Sequence, residues 1–186
     1  MRGYILSIWS VLDPVYFRFT RLTYLLDIHN SNNIFRVRLT RYKGKDVTLS
    51  DGTIIRKNDI LVKIHLHNVR LLTEMRTVKT DIVRARMIYQ SVRRSLPGIE
   101  RYIGNHERSS HIKGIIGITS LNKACSRLGF DVEDISHPIY KWMKWATFLP
   151  IMFLSSTVSN KGRSLLKESP SYLFMSKEKL TRLYGN

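Results

Sequence analysis

Apolar and polar residues alternate strictly over IFRVRLTRY at 34–42, which places Phe35, Val37 and Leu39 on one side of an extended chain and Arg36, Arg38 and Thr40 on the other. The same period returns in ILVKIHLH at 60–67, where Ile60, Val62, Ile64 and Leu66 oppose Lys63, His65 and His67. Between the two runs Asp51-Gly52 separates VTL from TII, and this dipeptide tolerates the positive φ of a tight hairpin turn. Residues 34–67 therefore read as an antiparallel meander, with strands near 34–42, 47–57 and 60–67 and a basic outer face.

From Asn68 the period changes. Leu71, Met75, Val78, Ile82, Ala85, Tyr89, Val92 and Leu96 recur at alternating spacings of four and three. That pattern predicts a long amphipathic helix, capped by Asn68, with a break near Thr80 and a stop at Pro97-Gly98. Its far side carries Lys79, Arg86 and Arg93, for which a solvated helix face is a sufficient account. Strands near 112–119 and 130–135 flank a further helix that starts at Ser120 and ends at Gly129, a strand-helix-strand unit extending the sheet. Residues 4–26 read as two short helices interrupted at Pro14, and Pro138 to Leu154 as an apolar helix bent at Pro150.

The expected class is α+β, a mainly antiparallel sheet packed by the long helix and flanking helices. The expected organisation is a single basic domain over 1–156, followed by a partly ordered tail over 157–186 with a short helix near 177–184.

Composition supports a folded chain and points to a class of partner. Of 186 residues 43% are hydrophobic and 24% charged, enough apolar material for a core. Lysine plus arginine number 31 against 14 acids, a net charge of +17, which directs attention to anionic partners. Anionic lipid, a phosphorylated or acidic glycan, and nucleic acid all satisfy that charge. With Cys125 as the single cysteine no intrachain disulfide or cysteine zinc cluster can form, so a reducing cytoplasmic setting is expected, with peripheral placement on the inner membrane face as its variant. Asp13-Pro14 interrupts the apolar N-terminal run, against a secretory signal. The apolar run Trp145 to Leu154 is about ten residues, half the roughly 20 of a spanning helix.

The residues best placed for chemistry are Arg36, Arg38, Lys63, His65 and His67 on the polar face of the meander, with Arg56 between the strands. Guanidinium forks, an ammonium and imidazoles form a donor set for carboxylate or phosphate oxygens; the plainer alternative is a wet sheet face that keeps its charges in water. Ser120, following Gly114 and Gly117, marks a second anion position where a strand hands over to a helix N-terminus. His65-x-His67 lacks the further ligands a metal would need, and no metal or cofactor is expected. Within PIYKWMKWATFLPIMFL, Lys141, Trp142, Lys144 and Trp145 have the composition of a membrane-interface helix, although core packing is the favoured account of its apolar side. Cys125 reads as a buried structural thiol. The sequence contains no Walker motif, GxGxxG or GxSxG.

SIWSVLDPVYF (7–17), NIFRVRLTRYKG (33–44), LSDGTIIRKNDILVKIHLHN (49–68), SLPG (95–98) and IKGIIGITSL (112–121) together resemble the YkoP-like family of Bacillus and related Firmicutes. The resemblance extends to about Leu154. It implies a context of polysaccharide deacetylase modules or neighbouring glycosyltransferases, hence of cell-envelope glycan or lipid-linked sugar, and supplies no catalytic residues. A fainter likeness to Gcn5-related acetyltransferases lies in the order of elements and in ACSRLGFDV; the glycine-rich pyrophosphate loop of those enzymes is absent, since HLHNVRLL follows the strand instead. The expected function is an accessory domain binding an anionic envelope component, with coenzyme-A-dependent acyl transfer and non-specific nucleic-acid binding as alternatives.

Overall fold

A computed structural model of the chain describes residues 23–25, 33–66, 78, 80–119, 125–134 and 171–185. The strands are β1 (Thr23–Tyr24), β2 (Phe35–Arg41), β3 (Val47–Thr48), β4 (Ile54–Ile55), β5 (Ile60–Leu66), β6 (Ile112–Thr119), β7 (Asp131–Asp134) and β8 (Ser171–Ser176). Among the described residues the helices α1 (Asp81–Gly104) and α2 (Lys177–Tyr184) accompany them, with a 3-10 turn at Ser109–His111. Among the described residues the main sheet has the order β1-β2-β5-β6-β8-β7, antiparallel throughout except for the parallel pair β5–β6. The expected α+β class, with a mainly antiparallel sheet, is the class of this fold.

The two alternating runs pair with each other directly, Phe35 opposite Leu66 through to Arg41 opposite Ile60. The middle strand of the expected meander is not part of this sheet. β3 and β4 form a separate two-stranded hairpin, turned by Asp51-Gly52 as expected, with Gly52 at φ 84° and the Thr53 amide donating to the Asp51 carboxylate at 3.0 Å. The hairpin folds over one end of the sheet, where Tyr42, Leu49, Ile55, Leu61, Ile116 and Phe174 make a small second core.

α1 begins after Thr80, where a break was expected, and the proposed cap at Asn68 lies outside the described residues. It does not stop at Pro97-Gly98; it runs on to Gly104 with Pro97 inside it. A helical proline costs about 3 kcal/mol and a glycine about 1. Beyond them Ile99 and Ile103 are completely buried and continue the stripe of Val92 and Leu96. Each contributes roughly 1.5–3 kcal/mol, and with the half-buried Tyr102 packed beside them burial outweighs local propensity. At the other end the pattern misleads in the opposite sense, since Ile82 is exposed.

The main core lies between the sheet and the two helices, where Val37, Val62, Ile64, Ile115, Leu173 and Met175 meet Val92, Leu96, Ile99, Ile103 and Leu180. Within the stretch expected as a tail, Ser171–Ser176 is an interior strand between β6 and β7, and the short helix near 177–184 follows it as α2. Ser176 Oγ caps α2 by accepting from the Lys179 amide at 2.9 Å and donates to the Asp51 carboxylate of the hairpin turn. Lys179 Nζ reaches Ser50 at 2.8 Å and Asp131 at 3.3 Å, tying hairpin, helix and edge strand together. Burial alone would push the Asp51 carboxyl up, but hydrogen bonds from Ser176 and Thr53, with Lys179 nearby, hold it below its ordinary value.

Candidate anion site

The register of β2 against β5 sets Arg36 opposite His65 and Arg38 opposite Lys63. Directly opposed residues share a face, with Cβ atoms about 4.5–5.5 Å apart, so the four side chains that alternation singled out do stand together. They occupy the face away from α1 and α2, and progress along β5 away from the hairpin-covered end. The face is not the fully wet surface of the plainer alternative. Arg36 is only 3% exposed, Arg38, Lys63 and His65 are half-buried, and Arg36 Nε, Arg38 Nε and His65 Nε2 are withdrawn from water. All four residues are engaged in interactions of their own.

Register carries the same face across the sheet. Arg38, Lys63, Ile116, Phe174 and Asp131 form one row of successive partners, about 19 Å from end to end at roughly 4.8 Å per strand. In the next row Tyr172 stands between Ile118 and Glu133. The face thus grades from cationic on β2 and β5, through an apolar and aromatic centre, to acidic on the edge strand β7. Tyr42 rings edge-on against Phe174 at 5.5 Å, and burial raises its phenol, helped by the carboxylates of Glu133 and Asp46. Sequence reading missed Tyr172, because β8 carries no alternation that marks it as a strand, and with it Glu133, whose expected strand near 130–135 reaches this face only through its pairing with β8.

Arg56 does not join this group: it sits exposed in the β4–β5 connection, at the opposite end of β5 from His65, with its amide donating to Asp59 at 2.7 Å. His67, Ser120, Lys141, Trp142, Lys144 and Trp145 lie outside the described residues, so the second anion position and the membrane-interface segment are not placed. No described helix is long and apolar enough to cross a membrane.

Cys125 is half-buried, and burial pushes its thiol up to about 11 against an ordinary 9.0, with a hydrogen bond involving Thr119 opposing the shift. Two units leave about a hundredfold less thiolate at neutral pH. Alkylation of the native chain by iodoacetamide is expected to be about a hundredfold slower than that of the same chain in denaturant; equal rates would show an exposed, reactive thiol.

Fold and face together define a small, basic α+β domain built on a mixed sheet, with clustered cationic side chains on one sheet face. The chain belongs to the YkoP domain family, whose model matches residues 2–184. It is 49% identical over 186 residues to the Bacillus subtilis (strain 168) protein named "Uncharacterized protein YkoP", covering 99% of this chain and 98% of that one. No solved structure matches significantly.

Proposed function

We propose that the chain is a binding domain for a small anionic group of the cell envelope, a sugar phosphate or the head of a lipid-linked sugar, held by Arg36, Arg38, Lys63 and His65. The observation that carries this reading is the cross-strand pairing of Arg38 with Lys63 beside Arg36 with His65. Such pairing brings several cationic donors to one patch of the sheet, where charge-assisted hydrogen bonds from guanidinium, ammonium and imidazole groups can converge on a single anionic group. The low exposure of Arg36 favours a single phosphoryl or carboxylate group over a duplex, whose phosphates are read at open surfaces. Tyr172, half-buried two strands away on the same face, offers an aromatic surface to an attached sugar.

Titration calorimetry with N-acetylglucosamine 1-phosphate, inorganic pyrophosphate, acetyl coenzyme A and a short DNA duplex tests the reading. The sugar phosphate is expected to bind, more weakly as salt rises. The double variant R38Q/K63Q is expected to lose about tenfold or more in affinity, roughly 1.4 kcal/mol. Equal affinity in the double variant, or no binding of the sugar phosphate at millimolar concentration, overturns it. Saturable binding of acetyl coenzyme A alone would favour acyl transfer, and of the duplex alone a nucleic-acid-binding role.

A further inference from the structure

The outer side of α1 forms a second cationic surface, on the opposite side of the sheet from Arg36. At about 100° per residue, Ile82, Val83, Arg86, Gln90, Arg93, Arg94 and Arg101 fall within one arc of about 120°, and all are exposed. The core residues Val92, Leu96, Ile99 and Ile103 fill the opposing arc. Solvated helices ordinarily mix charges, gaining from acid–base pairs three and four residues apart. This arc holds four arginines, of which Arg101 has an interaction of its own, against a single acid, Glu100. Glu100, at its margin, is half-buried and accepts a hydrogen bond from Thr181 of α2 at 3.1 Å. Arg93 also lies near Tyr184 of α2, whose phenol is raised by burial with the Arg93 guanidinium opposing the shift.

Charge alone would suit any polyanion; the apolar residues do not. Ile82 is 81% exposed and Val83 46%, at the amino end of the same arc. Phosphates give an isoleucine nothing, whereas a bilayer surface takes a basic face and an apolar residue together. We propose that this face of α1 docks the domain on an anionic phospholipid bilayer, with the arginines on headgroup phosphates and Ile82 inserted between them. In that orientation the Arg36 face is turned to water. The inference is independent of the proposed sugar-phosphate site, since the two surfaces share no residue.

Cosedimentation of the full chain with vesicles of phosphatidylcholine alone, and of phosphatidylcholine with phosphatidylglycerol, tests it, with circular dichroism as the check on folding. Binding is expected only to the anionic vesicles and is expected to weaken with salt. R93E/R94E should reduce partitioning about tenfold or more, each cation near an anionic surface being a separate increment. I82S should reduce it several-fold even where salt leaves binding intact, and R38Q/K63Q should leave it unchanged. Equal partitioning of R93E/R94E and the unaltered chain overturns the proposal. So does an I82S variant that partitions normally while R93E/R94E abolishes binding to duplex DNA, which would make the surface a nucleic-acid face. Loss in R38Q/K63Q alone would place the lipid contact on the other side of the sheet.

Discussion

A chain ended before Ser171 is expected not to fold. Such a chain lacks β8, whose residues pair with Gly114 to Thr119 on one side and with Asp131 to Asp134 on the other. It also lacks α2, whose Leu180 is completely buried in the main core. Leu173, Phe174, Met175 and Leu180 each contribute roughly 1.5–3 kcal/mol by burial. Their sum is comparable with the 5–15 kcal/mol that holds a typical domain together. β6 would lose an antiparallel neighbour and β7 its only described partner. The expected result is a chain without a cooperative thermal transition, recovered mainly in the insoluble fraction. Cooperative melting of the shortened chain at the temperature of the full one would show β8 to be dispensable.

That β8 escapes a reading of the sequence follows from where it lies. β2 and β5 announce themselves by period-two alternation, because one side of each carries charge. SYLFMS has no such period: it is buried at five of its six positions, packing Leu173 and Met175 toward the helices and Phe174 toward the hairpin. A strand covered on both faces reads as a continuous apolar run. Ser171 and Ser176 at its ends, buried and hydrogen-bonded to Asp134 and Asp51, give the segment the appearance of a polar linker. Pro97-Gly98 misleads for a related reason. Local propensity is visible in sequence, while the depth of the pocket that receives Ile99 and Ile103 is not.

The candidate site was legible to the same degree. Alternation identifies Arg36, Arg38, Lys63 and His65 as facing one way on each strand, but leaves open which residue stands opposite which. Register is settled by tertiary pairing, and the excursion of β3 and β4 between the two strands adds nothing to the ladder they form. Sequence placed Arg56 with the group because it assumed a continuous meander; removing the hairpin from the main sheet separates them. Nor does alternation distinguish a charge facing water from one facing a cover, and this is why the burial of Arg36 was not foreseen.

Replacing Phe174 by alanine is expected to cost about 3–5 kcal/mol, the largest effect of any single substitution proposed for this chain. Its ring is 1% exposed and lies edge-on to Tyr42 and tilted against Tyr172 at 5.9 Å. On either side of it in the sheet, Asp131 is its partner on β7 and Ile116 its partner on β6. Removing the ring opens a cavity beneath the hairpin, whose own two-residue strands cannot hold it in place. The loss should therefore appear in two measurements. Denaturant midpoints should fall for the whole domain, while amide exchange at Val47 to Ile55 should accelerate more than at β6. Leucine at the same position keeps most of the volume and should recover much of the stability, because shape-tolerant apolar exchange costs less than a void. A variant that loses stability with no selective change in hairpin exchange would mean that the hairpin is held by its polar ties, Ser176 to Asp51 and Lys179 to Ser50, and not by the aromatic core under it.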